Sequence, residues 1–330
     1  MAEKILVTGA AGFIGFHLSH ALLQAGYEVI GVDNLNNYYS VALKRDRLTR
    51  LQQFKNFKFA AVDIDNAAAL ETTLAGQAID YVVHLAAQAG VRYSIENPQA
   101  YGKSNLVGFL NVLEWVRHHP VKHFIYASSS SVYGNASQTP FKVAECADKP
   151  VSLYAATKRA NELMAESYSH LFAIPATGLR FFTVYGPFGR PDMAPMKFAQ
   201  QIMSQGEIDV YNHGNLSRDF TYIDDIINSI VSLITLPPSA SDFSNHRLLN
   251  IGRGQPVNLL EFIELLEKYL GQPVRKNYLS MQAGDVEQTW ADVTELETLT
   301  GYKPLTNLET GIRIFADWYK DYYAYGVRHA

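Results

Sequence analysis

Cysteine is nearly absent from this chain of 330 residues; Cys146 is the only one. One thiol excludes an internal disulfide and a cysteine-based zinc site, and a reducing cytoplasm is the expected compartment. No His or other base neighbours Cys146 in sequence, so the thiol reads as incidental. Long apolar runs are missing too. None approaches the roughly 20 residues of a membrane span, and the opening Met-Ala-Glu-Lys-Ile-Leu-Val carries too short an apolar run for a secretory signal. No membrane role is expected. Basic blocks are also absent and the formal net charge is −4, which argues against a nucleic-acid partner. His84, His118 and His119 lack metal-ligand spacing, so no metal is expected. What remains, 48% hydrophobic and 18% charged residues, is the composition of a soluble globular enzyme with one large or two ordinary domains.

Short apolar runs alternate with helical patterns through the first half, the sign of βαβ units and a parallel sheet. Strands are expected over 4–8, 28–33, 57–62, 81–86, 123–128 and 176–181, with helices over 12–25, 67–74, 98–118 and 154–172. After about residue 180 the alternation stops. Tyr185-Gly-Pro-Phe-Gly-Arg-Pro191 is dense in Gly and Pro, and 258–269 is an amphipathic helix with Asn258 as its cap. The expected fold class is α/β: a doubly wound parallel sheet over 1–180 and a smaller α/β substrate lobe over 181–330, parts of which can return to the first domain. The lobe would lie over the carboxyl ends of the strands, where ligands of open α/β sheets bind.

Thr8-Gly9-Ala-Ala-Gly12-Phe13-Ile14-Gly15 falls between the first strand and the first helix. Gly9 permits a tight turn, Gly12 lets the backbone approach a pyrophosphate, and Gly15 allows close helix–strand packing. The spacing varies on the dinucleotide fingerprint, and Asp33 supplies its context by ending the second strand 18 residues beyond Gly15. A carboxylate there accepts from a ribose 2′-hydroxyl and repels a 2′-phosphate, so NAD rather than NADP is expected. The plainer alternative is a glycine-rich turn with an N-cap Asp. Tyr154 stands four residues before Lys158 and 25 after Ser129. Residues four apart share a helix face, so an ammonium can sit beside the phenol while a strand-end serine shares its hydrogen bond. That lowers the cost of a tyrosinate, a base able to take a proton from a substrate hydroxyl. Among 20 Tyr about one such pair arises by chance, so its weight comes from the glycine loop beside it.

Together with Asp63-Ile64, His84-Leu85-Ala86-Ala87, Asn105, Ser128-Ser-Ser-Ser-Val-Tyr-Gly134, Leu179-Arg-Phe-Phe-Thr183, Arg218-Asp-Phe and Gly284-Asp285, these motifs resemble the extended short-chain dehydrogenase/reductase family, and within it the nucleotide-sugar epimerases. The matching stretches run through nearly all of the chain. The resemblance implies a Rossmann sheet, a nucleotide-sugar lobe, tightly held NAD, and a homodimer packed through the helices over 98–118 and 154–172. It places Gly9, Gly12, Phe13, Ile14, Gly15, Asp33 and Asn34 at the cofactor, Asp63 and Ile64 by the adenine, and Leu85, Ala86 and Ala87 by the ribose and phosphates, with Asn105 nearby. Tyr154 becomes the base at the sugar 4-hydroxyl, with Lys158 and Ser129 as its partners.

Asp33-Asn-Leu-Asn-Asn-Tyr-Tyr39, Ala89-Gly-Val-Arg-Tyr-Ser94, Thr183-Val-Tyr-Gly-Pro and Gly189-Arg-Pro-Asp-Met193 resemble the branch that acts on UDP-sugars bearing a C5 carboxylate. That implies C4 epimerisation between UDP-glucuronate and UDP-galacturonate through a transient 4-ketone. Relatives that dehydrate or decarboxylate 4-keto sugars generally carry Asp or Glu where Ser130 and Ser131 stand, so no extra acid is at hand for further chemistry. The ketone is β to the carboxylate, and such acids lose CO2 when the C–CO2 bond aligns with the carbonyl π system. Ser130, Ser131 and Thr183 are candidate donors that hold the carboxylate out of that alignment, and Arg190 is a candidate charge. The alternatives are a plain turn hydroxyl for Thr183, a surface or diphosphate contact for Arg190, and a structural or diphosphate contact for Arg92. Neutral-sugar relatives usually show Asn at the Thr183 place. Arg218 would pair with the UDP diphosphate and Asp285 with the uridine ribose, while Val210 and Tyr211 belong to the segment offered to uracil. Gln282 stands where relatives place a second diphosphate-binding arginine. The competing readings are UDP-glucose 4-epimerisation, UDP-glucuronate decarboxylation and a catalytically silent nucleotide-binding protein.

Overall fold

Ile5 and Val7 of the first strand, β1 (Lys4–Thr8), face one hydrophobic layer and Leu6 faces the other. Burial on both faces is the condition of a central parallel strand. Six more strands join it: β2 (Glu28–Asp33), β3 (Phe57–Ala61), β4 (Tyr81–His84), β5 (His123–Ser129), β6 (Ala176–Phe181) and β7 (His246–Ile251). All pairs are parallel, in the order β7-β6-β5-β4-β1-β2-β3. Strand order reverses at β1, which opens a crevice at the carboxyl ends of β1 and β4. Helices Phe13–Gln24 and Ile223–Ile234 cover one face; Phe109–His118 and Leu153–Phe172 cover the other. The doubly wound α/β sheet expected from sequence is the fold.

The computed structural model describes residues 2–135, 138–145, 147–239, 245–281 and 286–326. Cys146, Gln282, Gly284 and Asp285 lie outside the described residues, and with them the expectations for those positions. The second lobe is assembled from three strand pairs: Thr183–Tyr185 with Phe220–Tyr222, Ser217–Arg218 with Val257–Asn258, and Glu207–Val210 with Arg275–Tyr278. Between these pieces the chain returns to the large sheet, as helix Ile223–Ile234 packs on Phe13–Gln24 and β7 takes the edge beside β6. Every residue of β6 is buried, so a strand is required on its outer side. Asn258 caps helix Leu259–Leu270 as expected, accepting from the Leu260 N–H at 2.8 Å.

The single helix expected over 98–118 is three segments: Pro98–Tyr101, a π-helical stretch Gly102–Gly108, and Phe109–His118. A π stretch widens the turn and re-aims side chains, here Asn105. Gly108 ends it against Ile64; an added methyl would stand 2.7 Å from the Ile64 Cδ1.

His84 and His123 are buried in the sheet, and burial brings them down to about 3 and about 4 respectively. Both stay neutral in the fold while an unfolded chain takes protons below about pH 6.5. Stability should therefore fall as pH drops from 6.5 toward 4, by about 1.4 kcal/mol per unit for each histidine. Urea unfolding at stepped pH checks this: His123→Asn should make the slope shallower, and an unchanged slope would refute the assignment.

Candidate active site

The Thr8 hydroxyl accepts from the Ala86 N–H at 3.1 Å and meets His84 Nδ1 at 2.8 Å, so the ends of β1 and β4 are tied side by side. Gly9 follows at φ +73°, where a Cβ would stand 2.8 Å from the Ala86 nitrogen. A Cβ on Gly15 would stand 2.0 Å from the Gly9 carbonyl oxygen, so helix Phe13–Gln24 begins in contact with the loop. No side chain caps that helix; Gly12 is its N-cap, and Gly12, Phe13, Ile14 and Gly15 all line the cleft. Uncapped N–H groups at the positive end of a helix form an anion site of the kind a pyrophosphate occupies.

Asp33 stands at the end of β2, on the cleft wall. Its Oδ2 accepts from the Ala11 N–H at 3.2 Å and its Oδ1 from the Leu35 N–H at 2.8 Å, so the carboxylate also shapes the glycine loop. Asn34 donates to Asp63 at 2.8 Å, and Ile64, Leu85, Ala86 and Ala87 continue the same wall. Arg47 was unmarked by sequence reasoning. Wholly buried, it donates to the Ala11 carbonyl at 2.7 Å, to Tyr39 at 2.8 Å and to the Phe188 carbonyl at 2.7 Å, stapling the glycine loop to a loop of the second lobe. Asn105 does not line the cleft. It is 1% exposed, exchanges hydrogen bonds with the Gln88 backbone at 2.8 and 2.9 Å and donates to Thr157 at 3.0 Å, supporting the loop after β4 from beneath.

Ser129, Ser130, Ser131, Tyr154, Lys158, Thr183 and Arg190 line the other half of the same cleft. Ser152 caps helix Leu153–Phe172 by accepting from the Ala155 N–H at 3.1 Å, which sets Tyr154 in its first turn. Lys158 follows one turn on and is buried, its ammonium donating to the Ala127 carbonyl at 2.9 Å. Burial draws that amine down to about 8, opposed by the nearby Glu162 charge. The Tyr154 phenol is pushed up by burial; a hydrogen bond with Ser129 and the charge of Arg190 oppose that rise. The Lys158 ammonium donates to Ala127, and the charge of Arg190 also favours the phenolate. Ser129 donates to the Ser131 hydroxyl at 3.1 Å, whereas Ser128 turns away and donates to Glu162 at 2.6 Å.

Arg190 gives its Nε and Nη2 to Asp192, at 3.1 and 2.5 Å, and Tyr38 donates to the same carboxylate at 3.0 Å. Arg190 is thus an ion-paired wall residue. Its partners Asp192 and Tyr38 were missed, although both lie inside stretches whose resemblance was noted. The Thr183 N–H donates to the Asp219 carbonyl at 3.2 Å, anchoring the strand end to the second lobe. Arg92, from the first lobe, lies 5.1 Å from the Tyr211 ring centroid of the second. Val210 is buried, and Arg218 donates to the Ser217 and Glu287 carbonyls at 2.9 and 3.2 Å. Arg92, Val210, Tyr211 and Arg218 do not line the cleft wall described above. Among the described residues no group of His, Cys, Asp and Glu could hold a metal ion, and no helix is long and apolar enough to cross a membrane.

The NAD dependent epimerase/dehydratase family model matches residues 5–252. Protein CapI of Staphylococcus aureus is 51% identical over 332 residues, covering 97% of this chain and 99% of its own length. A probable UDP-glucuronate 4-epimerase of Rhizobium meliloti is 47% identical, covering 97% and 98%. The crystal structure of a UDP-glucuronic acid 4-epimerase from Bacillus cereus, in complex with UDP-glucuronic acid and NAD, is 36% identical with a TM-score of 0.87, covering 96% of this chain and 99% of that one.

Proposed function

The chain belongs to the NAD dependent epimerase/dehydratase family and uses NAD, and from this we propose that it interconverts UDP-glucuronate and UDP-galacturonate by epimerisation at C4. One observation carries the substrate reading. Ser130, Ser131, Thr183 and Arg190 line the cleft with Tyr154, and among the described residues no carboxylate other than Asp33 and Asp63 of the cofactor half lines it. Such a set can hold an anionic sugar and has no acid for a further step. Named relatives that act on UDP-glucuronate support the same choice.

The cofactor half fits NAD: the glycine loop has no room for a Cβ, the helix N-terminus is uncapped, and Asp33 ends β2. When bound, NAD supplies the hydride acceptor and donor at C4. Tyr154 takes the proton from the 4-hydroxyl and returns one when the ketone is reduced from the opposite face. Ser129 hydrogen-bonds the phenol oxygen, and buried Lys158 holds the Ala127 carbonyl beside it. Ser130, Ser131 and Thr183 donate to the C5 carboxylate and keep the C5–CO2 bond out of alignment with the carbonyl π orbitals. The diphosphate and uracil would extend beyond the cleft wall toward Arg218 and Arg92, and toward Val210 and Tyr211, respectively. The reading includes a homodimer. Val107, Leu110 and Leu163 are exposed on the paired helical segments and form the apolar surface for a second copy. Sedimentation as a monomer at micromolar concentration would remove that part.

Incubation with UDP-glucuronate, followed by NMR, should show UDP-galacturonate accumulating without added NAD. A UDP-pentose with CO2 would make the protein a decarboxylase. Turnover of UDP-glucose alone would make it a neutral-sugar epimerase.

A further inference from the structure

Asp192 does not line the cleft, yet it holds Arg190, which does and whose charge is felt at Tyr154. A guanidinium has two edges with paired N–H groups, and Asp192 takes the Nε/Nη2 edge of Arg190 in a bidentate fork. That fork fixes the guanidinium plane and leaves the Nη1 edge for a ligand. Asp192 is itself pinned from a third segment. Tyr38, in the loop that follows β2, donates to it at 3.0 Å. Tyr38 in turn fits over Gly90, at φ +103°, where a Cβ would stand 2.7 Å from the phenol oxygen. The Gly90 loop is held from below by Tyr101, which donates to the Ala89 carbonyl at 2.9 Å. Tyr38, braced on the Gly90 loop that follows β4, thus ties the loop after β2 to a carboxylate of the second lobe.

We propose that Asp192, pinned by Tyr38, is a positioning residue that aims Arg190 at the sugar carboxylate and so sets the fidelity of epimerisation over decarboxylation. The inference rests on the uronate reading above. An unpaired Arg190 would still attract the substrate carboxylate, and its flexible side chain could also turn to the Tyr154 phenolate. Binding would persist while orientation was lost. Once C4 is a ketone, a carboxylate no longer held in place lets the ring pucker until the C5–CO2 bond stands parallel to the carbonyl π orbitals. The electron pair of the C5–CO2 bond then moves into the C4 carbonyl, CO2 departs, and the enolate takes a proton at C5 from solvent water. Return of the hydride yields a UDP-pentose and the original NAD.

The test uses the NAD-loaded enzyme with UDP-glucuronate, reading UDP-galacturonate and UDP-pentose by NMR. Asp192→Asn should raise the pentose share about tenfold and lower kcat for epimerisation about tenfold, the scale of one charged hydrogen bond. KM should stay level or fall. Tyr38→Phe should move both quantities the same way by a smaller factor, and it decides the matter should Asp192→Asn fail to fold. A residue that only stabilises the loop would lower the melting temperature without changing the product ratio. Folded variants with wild-type product ratio and kcat would overturn the inference alone. Wild-type protein inert toward UDP-glucuronate would overturn the substrate reading and this one with it.

Discussion

Tyr154→Phe should abolish epimerisation while the protein still folds and still purifies with NAD. The substitution keeps the ring that meets Tyr101 edge-on at 6.1 Å, and it leaves Ser152 capping the helix. Only the oxygen beside Ser129 and Arg190 is removed. General-base steps contribute about 10²–10⁴-fold, so residual turnover above about one percent would exclude Tyr154 as the base. Product formation by NMR and NAD content of the denatured protein are the two measurements. A pH profile adds a sign. Burial holds the phenol above its ordinary range, so its ionised fraction and the rate should rise with pH. Ser129→Ala removes a group that favours the ionised form, and that limb should shift to higher pH.

Glu162→Ala should cost about 3–5 kcal/mol of stability, because it leaves a buried cation without its partner. Glu162 and Arg180 are each 1% exposed, and the carboxylate takes both the Nε and Nη2 of Arg180 at 2.8 Å. Ser128 and Arg159 complete its shell at 2.6 and 3.0 Å. Burial alone would push the Glu162 carboxyl up; hydrogen bonds and charge from Arg180, with Ser128 and Arg159, more than offset it and hold the group low. Its stabilisation is therefore present above about pH 4.5 and fades as pH falls through the lower folded value. Urea midpoints measure the loss, and a change below about 1 kcal/mol would show that the pair contributes little. Replacing both residues by Met should recover most of the stability, since apolar side chains of similar volume often match a buried pair. It should not restore the Lys158 titration, because Glu162 is the charge that favours that ammonium.

Some of this architecture could be read directly from the chain. The glycine loop needs its residue types within a single turn, so Gly9, Gly12 and Gly15 announce it. Asp33 follows from where a strand ends, and Tyr154 and Lys158 from one turn of helix. Other features left no local trace. The stretch over 98–118 reads as one helix, because two glycines and a polar patch within it do not reveal the π stretch that turns Asn105 under the wall. Strand β7 lies far along the chain from β6, and its pairing answers a buried edge that only the assembled sheet creates. Arg47 is an ordinary arginine in one dimension, and Arg180 and Arg190, though inside noted stretches, gave no sign of their partners. Each is defined by the segment that meets it.

By itself the amino-acid sequence determined the fold class and the cofactor and singled out the candidate reacting groups, because turn chemistry, strand alternation and helix spacing are local properties. Tertiary structure decided what surrounds those groups: the Ala127 carbonyl at Lys158, Tyr38 on Asp192, and Arg180 on Glu162. The reason is physical. Burial and ion pairing depend on which distant segments come together, and these set how each charge is oriented and how readily it forms.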